Sequence, residues 1–341
     1  APSATRPNIL LPDGSAIIVE QMERIACPLT LAGGILAAAG CLPGATGLLQ
    51  QVRVPLHHQL ESRVTGPVRP GEDLQGSLDA GLRVVVAPDA SRPVVAVNLW
   101  YGVGSRNERA GRTGFAHLFE HMMFQGSENL GKMEFIRLIQ SNGGVLNGST
   151  RFDFTNYFEI EPAHKLETML WAEANRMKGL AITQENLTNQ QGVVSNEVKV
   201  NVLNQPYGGF PWLDMPQLAN TNWYNAHNFY GELSDLEAAT LEDVQEFFDT
   251  FYAPNNAALA VVGDFDPAEA RAWIEQYFGP IAAGPEVPEF DISEPRQEEE
   301  KRSSKVDALA PRPALAFAYH TPERNSPEYW AFGLIDQILV Q

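Results

Sequence analysis

The spacing of apolar and polar positions changes period repeatedly along the chain, and each change marks an element. "LRVVVAP" (82–88) and "VVAVNLWY" (94–101) are short runs rich in β-branched and aromatic residues on either side of a turn, which predicts two adjacent strands. Thr113 is placed to N-cap a helix over about 114–125, with Gly126 placed to end it. In "KMEFIRLIQSNGG", Phe135, Ile136 and Ile139 form a stripe at helical spacing, closed by Gly143 and Gly144. "VLNGSTRFDFTNYFEIEP" (145–162) has strand composition with partial alternation. Two longer helices follow, the first with Leu166, Met169, Leu170, Ala174 and Met177 on one side and the second beginning at Thr183. A helix around "LEDVQEFFDTFY", a strand "AALAVVGDF" and a helix "DPAEARAWIEQYFG" complete the series.

Charged, Pro-rich "PEVPEFDISEPRQEEEKRSSK" then reads as an exposed connection, after which "PALAFAYHTP" predicts a strand and "EYWAFGLIDQILV" a helix. The fold class is α+β, a mixed sheet with helices packed on one face, followed by the start of a second α+β unit. The expected division is a leader over 1–43, a lead-in over 44–75, a main domain over 76–288, a linker over 289–313 and the opening of a second domain over 314–341.

With 341 residues, 44% of them apolar, the chain has ample material for a core. A net charge of -18 argues against a nucleic-acid partner and for one that is neutral or basic. The only two cysteines are Cys27 and Cys41, so a thiolate metal site or cysteine nucleophile is excluded from everything beyond them. "MERIACPLTLAGGILAAAGC" (22–41) has a basic start, an apolar run of 12 residues and small residues before a cysteine, the layout of a secretory signal. The run is shorter than the roughly 20 residues a spanning helix needs. Its "AAGC" end resembles a lipoprotein processing site, so the expectation is export to the periplasm or cell envelope with Cys41 as a candidate lipid anchor. "GVG" (102–104) lacks the third glycine of a dinucleotide loop and leads into further loop signals, which argues against nucleotide binding.

The sharpest chemical signal is "HLFEH" (117–121). On a helix of 3.6 residues per turn, His117 and His121 stand one above the other and their imidazoles can converge on one ion. Glu120 lies on nearly the same face, within reach of a water on that ion. Zinc suits the set, since a catalytic zinc takes imidazole and carboxylate ligands and keeps one position for water. With 7 histidines in the chain, chance produces H-x-x-E-H with an expectation of roughly one in a hundred. Two histidines leave the third ligand to be found, and spacing alone does not choose among Glu173, Glu185 and Glu197. A closed structural site would need a fourth protein ligand, and the next histidine along the chain is the distant His164.

"GRTGFAHLFEHMMFQGS", "GGVLNGSTRFDFTNYF", "WAEANRM", "VVSNEVK", "NQPYG" and "FYAPNNAALAVVGDFDP", in this order and spacing, resemble the pitrilysin family of zinc metallopeptidases. The likeness is to its shorter bacterial members, related to the mitochondrial processing peptidase, and runs over about residues 78–341. It implies one zinc held by His117, His121 and Glu197, with Glu120 as general base. It implies further that the strand bearing Asn147 and Gly148 is a sheet edge beside the zinc helix and pairs with an extended peptide substrate.

Two departures stand out. Many active members carry a glutamate seven positions before the ligand glutamate, where this chain has Gln190, a neutral residue placed to orient Glu197 from outside the ligand set. Members also have a homologous second half that supplies an arginine and tyrosine pair to the substrate, so a fuller second half or a partner subunit, in a homo- or heterodimer, is expected to complete the chamber. The implied activity is a zinc endopeptidase acting on peptides, basic ones by charge, or unfolded segments. The alternative is a zinc-binding subunit that is weak or inactive alone. S-ribosylhomocysteine lyase shares the inverted motif but uses a cysteine, which this chain lacks beyond position 41.

Overall fold

Val84, Val85 and Val86, Val95 and Val97, and Leu259 and Val261 supply the β-branched and aliphatic runs from which a six-stranded sheet is built. In this computed structural model the described residues are 74–340, together with two short strands, β1 (Ile9–Leu10) and β2 (Ala16–Ile17), which pair antiparallel. Cys27, Cys41 and most of the expected leader and lead-in lie outside the described residues.

The sheet runs β3 (Leu74–Ser77), β4 (Arg83–Pro88), β8 (Ala257–Gly263), β5 (Val94–Tyr101), β7 (Thr155–Pro162), β6 (Val145–Thr150) in space. Every neighbouring pair is antiparallel except β4 with β8. The expectation that β4 and β5 are neighbours is therefore corrected, because β8 is inserted between them. The connecting segment straddles the end of β8, with Asp89 N–H donating to Gly263 O and Asp264 N–H donating to Val94 O. Sequence separation hides this arrangement, since β8 arrives more than 150 residues later.

Along β5, β7 and β8 buried residues alternate with half-exposed ones, so one face carries the helices and the other is more open. The covered face packs α1 (Phe115–Met122), α2 (Glu134–Ser141) and α3 (Leu166–Lys178), and α4 (Gln184–Val198) packs on α1; Leu118, Phe119, Phe135, Ile139, Met169, Leu170, Leu187 and Val194 join one core. The short helices α5 (Asp214–Ala219), α6 (Trp223–Ala226) and α7 (Leu233–Ala238) had no counterpart in the sequence reading. They precede α8 (Leu241–Phe251), whose Thr240 and Asp243 form a capping box, and α9 (Pro267–Phe278) follows β8. Phe119 stacks on Phe247 at 5.0 Å and on Tyr252 at 5.1 Å, so α8 backs the far side of α1.

Between α9 and α10 (Pro327–Val340) the chain is without helix or strand. "PALAFAYHTP" is not a strand: Leu315, Phe317 and Tyr319 are exposed and no neighbouring edge among the described residues pairs with them. Just before it the chain is tied back by Lys305 to Asp214 at 2.7 Å and by Asp307, whose Oδ2 accepts from Tyr207 N–H at 2.7 Å.

Candidate metal centre

α1 starts where Gly114 adopts φ 84°, a left-handed conformation, and a Cβ there would lie 2.8 Å from Tyr230 O. Thr113 does not cap the helix as expected. Its hydroxyl donates to Asp235 Oδ2 at 2.7 Å and accepts from Glu232 N–H at 2.8 Å. The cap comes instead from Glu108, whose two carboxylate oxygens accept the N–H groups of Gly114 at 2.8 Å and Ala116 at 2.9 Å. The regular helix ends at Met122, earlier than expected, and Gly126 then turns the chain at φ 118°.

From this helix His117 and His121 project as the period requires, with ring centroids 5.0 Å apart and planes at 85°. α4 brings Glu197 to them. Its Oε2 lies 3.2 Å from His121 Nε2 and its Oε1 3.9 Å from His117 Nε2. One ligand atom from each of the three residues falls within 4.8 Å of the others. Neither rival glutamate comes here: Glu173 is fully buried against Arg176, and Glu185 is exposed at the start of α4. A π-helical turn, Lys199–Leu203, follows Glu197 closely, a feature often found at functional sites.

Burial, aided by His121, pushes His117 down to about 4, so its imidazole is neutral at neutral pH and offers a lone pair. Burial acts upward on Glu197, but the His121 hydrogen bond and both histidines outweigh it and hold the carboxyl below its usual value. Two imidazoles and a carboxylate are the His₂Glu donor set of catalytic zinc sites, and the convergence of both Nε2 atoms on one carboxylate fits such an ion.

Glu120 is half-buried and accepts a hydrogen bond from Thr150 Oγ1 at 2.6 Å. Burial raises its carboxyl above the usual range, opposed by that bond. β6, which carries Thr150, is one of the two edge strands of the sheet among the described residues. Gly148 faces Glu120 so closely that a Cβ would meet Glu120 Cγ at 3.1 Å, while the exposed Asn147 accepts the Gly148 N–H at 2.9 Å through its own Oδ1. Gln190 is buried on α4, but its Nε2 donates to Asn189 Oδ1 at 2.8 Å rather than to Glu197. Tyr230, absent from the sequence reading, packs its ring 5.2 Å from that of His117, with Trp212 5.4 Å beyond. Thr150 and Glu108 were also missed. The only sequence signal for Glu108 is an acidic residue six positions ahead of Gly114.

Residues 83–208 match the family described as insulinase (peptidase family M16), and residues 238–341 match the peptidase M16 inactive domain. The zinc protease PqqE of Helicobacter pylori is 31% identical over 272 residues, covering 77% of this chain and 60% of the relative. A protease from Helicobacter pylori has a crystal structure that superposes with a TM-score of 0.65 at 30% identity, covering 68% of this chain and 56% of that one. The periplasmic protease PqqL of Escherichia coli shares the fold, with a TM-score of 0.60 at 24% identity over 67% of this chain and 26% of that one. The chain thus spans less than two-thirds of the length of the relatives it matches.

Proposed function

The chain belongs to the peptidase M16 family of insulinase- and pitrilysin-type zinc proteases, and from that premise we propose that it is the zinc-binding half of an endopeptidase acting on peptides or unfolded segments. The observation that carries this is the convergence of His117, His121 and Glu197, with Glu120 alongside, next to the edge strand β6. These three residues would hold a zinc ion, which would polarise the scissile carbonyl and make water more acidic.

The rest is done by the chain's own groups. Glu120 takes the proton of the attacking water and returns it to the leaving amine, while Thr150 holds its carboxylate in place. β6, through Asn147 and Gly148, pairs with the extended substrate backbone, which gives affinity without demanding a sequence. Edge pairing requires an unfolded segment, and the acidic surface favours basic peptides. Residues 76–288 form the peptidase domain, 289–313 a linker and 314–341 the opening of a second domain, which a fuller second half or a partner subunit completes. Export, with Cys41 as a lipid attachment point, belongs to the same reading. The name of the Escherichia coli relative places that protein in the periplasm.

A second reading is favoured by the match of residues 238–341 to an inactive domain: a zinc-binding subunit, inactive until joined by a partner. Metal content, together with hydrolysis of a quenched generic peptide by this chain and by a form extended through a complete second half, separates the two. One zinc per chain with activity in the extended form supports the endopeptidase. Zinc without activity in either form supports the subunit, and a chain that binds no zinc overturns both. Glu120→Gln is expected to keep zinc and lose hydrolysis by about two to four orders of magnitude.

A further inference from the structure

The metal helix begins at a buried end, and Glu108, only 2% exposed, commits both carboxylate oxygens as acceptors for its first N–H groups. Burial pushes the Glu108 carboxyl above its usual value, opposed by His227 and by these two N–H groups, so a cation nearby stabilises its charged form. His227 lies beside it, with Nε2 3.6 Å from Glu108 Oε2. Both ring nitrogens of His227 also face backbone carbonyls, Nδ1 at 2.9 Å from Trp223 O and Nε2 at 2.7 Å from Ser105 O. A carbonyl oxygen only accepts, so both nitrogens must donate, which only the imidazolium can do. The Trp223 ring is stacked on the imidazole at 4.2 Å and 10°, presenting its π face to a cation.

The other ionisable groups of the cleft His227 lines are Glu232 and Asp235, both acidic. Burial works against the charged histidine, but Glu108 and the two carbonyls outweigh it and hold His227 above its usual value.

We infer that Glu108 and His227 form a buried ion pair that fixes the first turn of the metal helix and thereby sets where His117 presents its ring. These are positioning residues, and the inference rests on the metal reading of that helix. Ring ¹⁵N NMR of the full chain tests the pair directly, and the expected result is both His227 nitrogens protonated at pH 7. Zinc affinity, measured by chelator competition, is expected to fall about tenfold or more in His227→Gln, as for other partners outside a ligand set. Glu108→Gln should match it, and the double variant should lose less than the sum.

A neutral, singly protonated ring in the wild type overturns the inference, as does a folded His227→Gln that binds zinc like the wild type. The NMR signature needs neither zinc nor a variant. Failure of the wild type to bind zinc, which overturns the metal reading, therefore leaves the ion pair to be decided on its own.

Discussion

Thr150 Oγ1 donates a 2.6 Å hydrogen bond to Glu120 Oε2, joining the edge strand to the carboxylate beside the two histidines. The same hydroxyl lies 3.4 Å from Ala116 O, one residue before His117. The strand assigned to substrate and the group assigned to proton transfer are therefore mechanically linked. Thr150→Val keeps the branched shape and removes the donor. Hydrogen bonds to charged groups are worth about 1.5–3 kcal/mol, so kcat/KM should fall by roughly ten- to a hundredfold with zinc content unchanged. Wild-type kinetics in that variant would show that Glu120 is held by something else.

Gly148 makes a sharper steric test. A Cβ there would meet Glu120 Cγ at 3.1 Å and Tyr157 Cδ1 at 3.2 Å, so either the glutamate or the strand must give way. Gly148→Ala is expected to cost little stability, about 1 kcal/mol or less, because an edge strand relaxes readily. Activity should drop well beyond that. Equal losses in stability and activity would argue that Gly148 serves the fold alone.

What could be read from the sequence follows from which interactions are local. His117, Glu120 and His121 were legible because one helical period places them, and α2, α3 and α4 because their apolar stripes are periodic. Glu197 was not separable from Glu173 or Glu185 by spacing; the family resemblance singled it out, and the packing of α4 on α1 is what brings it to the histidines. The Thr113 cap failed because Asp235, 122 residues away, takes its hydroxyl, and a tertiary partner overrides a local preference. The neighbour relation of β4 and β5 failed for the same kind of reason, since β8 comes between them from far along the chain. "PALAFAYHTP" alternates like a strand, but alternation makes a strand only beside a partner edge.

Beneath the sheet side of α3, Arg176 is 1% exposed, contacts Glu173, lies 3.5 Å from Glu159 and holds its guanidinium 3.8 Å from the Phe135 ring centroid. One cation serves two buried carboxyls. Burial and the neighbouring Glu173 push Glu159 well above the usual carboxylate range, so the ionised form of Glu159 is the disfavoured one. Arg176→Met should therefore destabilise by about 3–5 kcal/mol, because the buried carboxyls of Glu173 and Glu159 lose the cation they share. Glu159→Gln should be nearly neutral. Denaturant unfolding of both variants checks the pair, and a large cost for Glu159→Gln would mean that Glu159 is the ionised partner.

Glu294 shows how the segment beyond α9 is held. Its carboxylate accepts from Thr221 N–H and Oγ1, both at 2.9 Å, from Asn222 N–H at 2.9 Å and from Asn225 Nδ2 at 2.8 Å. Burial acts upward on this group, but the hydrogen bonds outweigh it and push the carboxyl down to about 2. A carboxyl depressed in the folded state contributes stability that is fully present above its unfolded value, about 4.5, and is lost as pH falls through its folded value. The tether should thus hold through pH 4 and release only as pH approaches 2. The side-chain amide signals of Asn225, followed by NMR across that range, should report a midpoint far below an ordinary glutamate. Glu294→Gln should loosen residues 221–225 throughout the range in which the wild-type tether holds, because an amide presents one acceptor where the carboxylate presents two. A midpoint near 4.5 would show that these bonds do not form in solution, and that residues 291–294 are not anchored to α6.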